Sequence, residues 1–430
     1  MKALQKNKTW IVILFLELLS LSPIFMVLGN VVPPFPLKAH YLSFGLAFLL
    51  VCLMLIQLKS KKWLVYIALF YFVLQFFLSG LHPKDFVDFF FGPFVFISLM
   101  DILINERLSK KELLKYQKRF FILMWVPLIF SFLQYLELLP LTFWNATYVN
   151  LSQVGGEKIP RPNGFLYHGS ELSIVLFFVA AKQLFKSSKK FIFNLLFLIL
   201  IAYGTYYKAL TATIILLFIY YFTVLNPINS FQWTVKIFKN EKRLYYTIFT
   251  FVCIGFLIIS YQLLVVGKKE IFDPQFLTGR GSIWNVYLQA LKDFSAFQWL
   301  FGAGIGAEAE LFRQNATASL FFPLKADPNS SLTPDAHHAI LSPLLNIGLV
   351  GLSFYYLLFK ILHSQIKNFA SSSNFNKKIY FIVVVLPIFT LGITIPIFKN
   401  AIYWVSIGFI SHYWIISQNK KHHDKEQQTH

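Results

Sequence analysis

Apolar runs close to 20 residues long recur from Trp10–Leu28 to residues 401–418, and they constrain this chain more than any other feature. A helix rises about 1.5 Å per residue, so a run of about 20 matches a hydrocarbon core about 30 Å thick. Twelve such segments are expected, near 10–28, 40–58, 63–81, 85–104, 120–139, 166–184, 191–206, 209–225, 245–266, 338–359, 379–397 and 401–418. The long, largely apolar stretch 191–225 suits two short helices with a tight turn at "TYYK" (205–208) better than one long helix. Charged residues make up only 13% of the chain, about half of what a soluble domain carries. The fold class expected is an all-α polytopic membrane protein with about 12 transmembrane helices. The first run follows Lys2, Lys6 and Lys8 and is long for a signal peptide, with no small-residue cleavage site, so it reads as an uncleaved helix.

Sidedness follows from the basic residues. With the N-terminus inside, 27 of the 39 Lys and Arg fall in inner segments, the pattern that sets orientation in membranes. Both termini are then cytoplasmic. The same placement explains the net charge of +20 without nucleic acid, because the basic residues sit in short clusters between apolar runs. Cys52 and Cys253 both lie inside apolar runs, which disfavours a disulfide and excludes a cysteine zinc site.

The expected organisation is N-terminal transmembrane helices over 1–139, an outer loop over 140–165, and central helices over 166–266. A long outer loop covers 267–337, followed by C-terminal helices over 338–418 and a cytoplasmic tail over 419–430. Within the long loop, "SIWNVYLQALKDF" (282–294) places Ile283, Trp284, Tyr287, Ala290, Leu291 and Phe294 at helical spacing. Such a helix lies on the membrane surface or closes over a cavity. No internal repeat is visible, which disfavours inverted-repeat transporters.

Basic residues on the outer side are informative because topology does not demand them there. Arg161 stands in "IPRPNGF" (159–165), where Pro160, Pro162 and Gly164 predict a stiff turn. Arg280 stands in "LTGRGSIW" (277–284) between Gly279 and Gly281, which let backbone approach a ligand closely. Two arginine forks on one face suit a diphosphate, although either alone can snorkel to a lipid phosphate or pair with a loop acid. His337 and His338 stand where the long loop meets the next apolar run. An imidazole there can take a proton from a hydroxyl, or simply be satisfied by water. Neighbouring residues on a helix point about 100° apart, so one site takes one of the two. Asp335 reads as a cap for the following helix.

Lys208, in the expected outer turn between two helices, is a third candidate for contacting phosphate. Glu171, after "YHGS", is expected to pair with Arg161 or to sit in the cavity. Glu17 lies inside the first helix, where an acid is functional by default, and Glu137 lies near an interface. "FGAGIGAE" (301–308) has GxGxG spacing but no preceding strand, so it reads as a plain loop rather than a nucleotide site.

Three stretches taken in order resemble the O-antigen ligase and polymerase superfamily of bacterial surface polysaccharide assembly. They are "RPNGFLYHGSELSIVLFF", "LTGRGSIWNVYLQAL" leading to "WLFGAGIGA", and "DAHHAILSPLLNIGLVGLSFYYLLF". The resemblance covers pieces of 160–360 and the general topology. It implies an integral enzyme of the bacterial inner (cytoplasmic) membrane that uses no cofactor and no metal. Its donor would be an undecaprenyl-diphosphate-linked oligosaccharide. A chain-length regulator, a flippase and membrane lipid would be its partners.

Carried over, the resemblance implies that Arg161, Arg280 and His337 are catalytic, and that Gly348 and Gly351 are the family's helix glycines. His338, Lys208, Glu171, Trp284 and Gly279 would bind substrate. The sequence departs at 338, where the family usually has Asn, and at "YYKAL" (206–210), where many members have Ser-Arg-Gly. Polymerisation of lipid-linked repeat units is the activity expected. The alternatives are ligation of finished glycan to a lipid A core or a protein, and transport of lipid-linked sugars. Transport predicts repeated halves and charges deep in several helices.

Overall fold

A computed structural model describes residues 2–31, 50, 54–55, 62–78, 83–104, 108–141, 151–154, 157–160, 162–166, 169–183, 188–204, 208–220, 280–316, 336, 338–369, 380–393 and 395–411. The expected helices near 40–58 and 245–266 lie wholly or largely outside this set, as do Cys52 and Cys253. The described residues are overwhelmingly helical, as an all-α class requires. The one departure is a hairpin in the 140–165 loop, β1 (Leu151–Val154) paired antiparallel with β2 (Glu157–Pro160). Val154 is paired with Glu157 at one end of it and Leu151 with Pro160 at the other.

The helices before the long loop are α1 (Lys2–Val31), α2 (Lys62–Leu78), α3 (Pro83–Ile104), α4 (Lys110–Leu123) and α5 (Trp125–Tyr135), then α6 (Gly169–Gln183), α7 (Ser188–Gly204) and α8 (Lys208–Tyr220). The long loop holds α9 (Arg280–Lys292), α10 (Ala296–Phe301) and α11 (Glu308–Asn315). After it come α12 (Leu341–Phe369) and α13 (Ala401–Ser411). Among the described residues, two helices are long and apolar enough to cross a membrane: Trp10–Leu28 (19 residues, mean hydropathy 2.5) and Leu341–Ser364 (24 residues, mean hydropathy 1.7). Phe89–Ile102 and Ala401–Ser411 are shorter apolar helices.

The expected helix over 379–397 is corrected. It is broken into a π-helical stretch, Phe381–Val385, a single α turn, Leu386–Phe389, and 3-10 turns at Leu391–Ile393 and Ile397–Lys399. Pro387, Gly392 and Pro396 account for this, since proline removes an intrahelical donor and glycine weakens a helix.

Packing is aromatic throughout. Phe72 of α2 meets Phe90 and Phe94 of α3 and Phe354 of α12, with ring centroids 5.7–6.1 Å apart and near-perpendicular planes. Trp404 of α13 is fully buried against Phe359, Phe398 and Tyr355. A Cβ at Gly92 would lie 2.2 Å from the Trp404 ring, so only glycine lets α3 come this close. Glu17 of α1 is paired with Arg119 of α4, whose guanidinium also donates to Ser20. An acid expected to mark function is thereby satisfied by an inter-helix ion pair.

The long loop has a core of its own. Ile283, Val286, Tyr287 and Leu291 of α9, with Phe294 just after it, pack with Phe312 of α11, Ala336 and Leu345. The amphipathic face seen in the sequence thus covers the N-terminal end of α12.

Candidate functional site

The site is built where α12 begins. Its first amides, Ile340 N–H and Leu341 N–H, both donate to Nδ1 of His338 at 3.1 Å. His338 is therefore the N-cap, and with Nδ1 accepting, the neutral ring carries its proton on Nε2. Asp335, the expected cap, lies outside the described residues. Burial pushes the His338 pKa down to about 4 from 6.5, so the ring is neutral at physiological pH.

Trp284 joins this end of α12 to α9. Its indole Nε1–H donates to the Ala336 carbonyl at 2.8 Å, and its ring stands edge-on to His338 with centroids 5.6 Å apart. The motif that opens with Arg280 and the motif that holds His337 are thus fixed to each other. Arg280 is the first residue of α9, and its side chain is outside the described set. His337 and Gly279 are also outside it, although Ala336 and His338 bracket the former.

A second tie comes from the C-terminal side. Ala339 N–H donates to the Gly392 carbonyl at 2.6 Å, and the 3-10 turn holding Gly392 packs against α8, the helix that opens with Lys208. Only the backbone of Lys208 is described.

The "RPNGF" turn is rigid as well. Gln134 Oε1 of α5 accepts from Asn163 N–H at 3.1 Å and Gly164 N–H at 2.8 Å, while Ser131 donates to the Pro162 carbonyl. Gly164 has φ +63°, and a Cβ there would lie 2.0 Å from the Pro127 carbonyl oxygen. Arg161 itself is outside the described residues, but it stands between β2 and this pinned turn. Among the described residues, the hydrogen bonds that hold the turn run to α5, not to α9 or α12. Glu171 lies in the first turn of α6, half-buried.

"FGAGIGAE" is a built element rather than a plain loop. Gly348 breaks α12 with φ 59° and ψ −167°. The carbonyls just before the break are taken by tertiary donors: Leu345 by Ala303 N–H at 2.8 Å, Asn346 by Gly304 N–H at 3.2 Å, and Ile347 by the Tyr71 hydroxyl. Gln75 donates to the Phe301 carbonyl at 2.6 Å. Ile347 lies about 9 Å along the helix from Leu341, so α10 and the glycine turn pack that far along α12, beside α2. Irregular backbone packed among helices has to be hydrogen-bonded by protein, and here it is.

Against Ala336 lies a buried carboxylate that no local sequence pattern marks. Glu308, only 4% exposed, receives Ala336 N–H on Oε2 at 3.0 Å. Its Oε1 receives Asn346 Nδ2 at 2.6 Å, Lys399 Nζ at 2.8 Å and the Ser342 hydroxyl. Asn346 Oδ1 in turn accepts from Gly306 N–H at 2.8 Å. Lys399 also lies over the Phe89 ring, 4.9 Å from its centroid. A signal for Lys399 was present, because it is another basic residue on the expected outer side, the criterion that picked Arg161 and Arg280.

No family model matches this chain, and no curated protein matches it.

Proposed function

We propose that this protein is a glycosyltransferase of the bacterial inner membrane that polymerises undecaprenyl-diphosphate-linked oligosaccharides into surface polysaccharide. In this reading about twelve helices span the membrane, both termini are cytoplasmic, and the site faces outward. The observation that carries it is the Trp284 brace, which fixes the Arg280 motif to the His337 motif at the end of one helix. A second support is that His338 spends Nδ1 on capping α12, which leaves His337 as the imidazole for chemistry. Asparagine is also a strong N-cap, so the same acceptor role fits the residue that the resembled family usually carries at this position.

In the proposed reaction, His337 takes the proton of the acceptor hydroxyl as its oxygen attacks the anomeric carbon of the donor. The carbon–oxygen bond to the diphosphate breaks, and the lipid diphosphate leaves with the electron pair. Arg280 and Arg161 offset the charge that grows on it, the kind of preorganised stabilisation that contributes most when water is excluded. Lys208 adds a point charge without a fork. The substrate already carries its activation, so the reaction consumes no sugar nucleotide.

Deleting the gene and running surface glycan on a gel tests this. Loss of a polymerase leaves single repeat units on the acceptor. Loss of a ligase leaves none attached, with glycan on the carrier lipid. Arg280→Ala and His337→Ala should each reproduce the deletion at normal protein abundance. Full-length glycan in both variants sinks the site assignment.

A further inference from the structure

We infer that Glu308 is a positioning residue for the proposed base, pinning the peptide that carries His337. The inference rests on the reading of His337 as catalytic. Its ground is the division of labour between the two oxygens of one buried carboxylate. Oε2 holds the Ala336 N–H, one residue before His337. Oε1 is tied to the membrane helix through Ser342 and Asn346, and to the last 3-10 turn through Lys399. Ala336 is clamped from its other side as well, since its carbonyl receives Trp284 Nε1–H. Both polar groups of the Ala336 residue are therefore bonded to separate elements, and the backbone entering His337 has little freedom.

The charge matters too. A buried carboxylate needs a partner, and Lys399, with its side chain only 10% exposed, supplies one. The arrangement couples three parts of the chain that are far apart in sequence: the long loop, α12 and the segment before α13. Glycines make the approach possible. Gly302, Gly304 and Gly306 all have positive φ, and the turn they form delivers Glu308 to the start of α11 beside Ser342.

The test uses paired substitutions, because removing one partner alone leaves a buried charge and threatens folding. Glu308→Ala with Lys399→Ala removes the acceptor. Glu308→Gln with Lys399→Gln keeps an acceptor oxygen for Ala336 and stays neutral. Hydrogen exchange in D2O is followed by mass spectrometry on the full-length protein, for a peptide spanning Ala336 and for peptides within 341–364. Surface glycan is scored in parallel.

In the alanine pair, exchange at Ala336 should rise at least tenfold while 341–364 stays protected, and polymer should be lost. In the glutamine pair, exchange should stay near that of the unmodified protein and most polymer should return. Equal exchange in the two pairs overturns the inference, and so does opening of 341–364 along with Ala336. Full polymer in the alanine pair, where His337→Ala has none, also overturns it. If His337→Ala itself keeps normal polymer, the functional reading fails, whereas the exchange result still decides whether Glu308 holds the peptide.

Discussion

Lowering the pH from 6.5 towards 4 forces a proton onto His338, and the cap of α12 is the structure that suffers. The ring's Nδ1 accepts two amide protons, so protonation there replaces an acceptor with a donor facing donors. The sign is fixed by the pKa order. The folded value, about 4, lies below the unfolded value of 6.5, so between them the unfolded chain binds more protons. The stabilisation is full above pH 6.5 and drains away as pH falls to about 4. The gap between the two values corresponds to about 3 kcal/mol, a ceiling because the ring is partly exposed to screening solvent.

An independent count from the geometry agrees. Two amide bonds at about 1 kcal/mol each, plus a cation set against the positive end of a helix at about 0.3–1 kcal/mol, give about 2–3 kcal/mol. The assay is unfolding by SDS titration in mixed micelles across this pH range, comparing the unmodified protein with His338→Asn. Asparagine caps without titrating, so the variant should lose the acid-sensitive part of the slope. Contributions from every group common to both proteins cancel in the difference. Identical pH slopes in the two proteins would refute the capping argument.

Other consequences are equally local. Gly348→Ala should cost about 3 kcal/mol, because φ is +59° and the new Cβ would lie 2.4 Å from the Gly302 nitrogen and the Leu300 carbonyl oxygen; a drop in the SDS unfolding midpoint measures it. Gln134→Leu leaves the buried amides of Asn163 and Gly164 without their acceptor, a loss of about 2–4 kcal/mol. Raised exchange at 163–166 with little change in α12 would confirm that the damage stays beside Arg161. Arg119→Met should cost only about 1–2 kcal/mol, since the two side chains of its pair with Glu17 are 28% and 33% exposed. Surface glycan should be unchanged, and lost glycan at normal abundance would return Glu17 to the functional residues.

The amphipathic stretch 282–294 was legible because burial imposes a 3.6-residue period on sequence, and α9 buries the expected face. The stiff turn after Arg161 was legible because proline and glycine restrict or permit φ by themselves, although its anchor Gln134, 29 residues away, was not. The break at 386–397 was missed because hydropathy outweighed Pro387, Gly392 and Pro396 in a run that reads as apolar throughout. His338 as a cap was missed because an imidazole acceptor is decided by ring orientation, which spacing does not encode. Glu308 sat in plain view at the end of "FGAGIGAE", but an acid in a polar loop gives no local sign that four donors converge on it.

By itself the sequence determined the apolar, helix-forming segments, the asymmetry of the basic residues and the order of three motifs along the chain. These follow from hydrophobic periodicity and charge placement, which act over a few helical turns and can be read from neighbours. Only the tertiary structure decided which side chains answer one another. Trp284 reaches Ala336 across 52 positions and Lys399 reaches Glu308 across 91, because buried polar groups take whichever partners the chain path brings near. The path is set at the break in α12, where Gly348 frees carbonyls that Ala303, Gly304 and Tyr71 then satisfy, and no local pattern specifies that exchange.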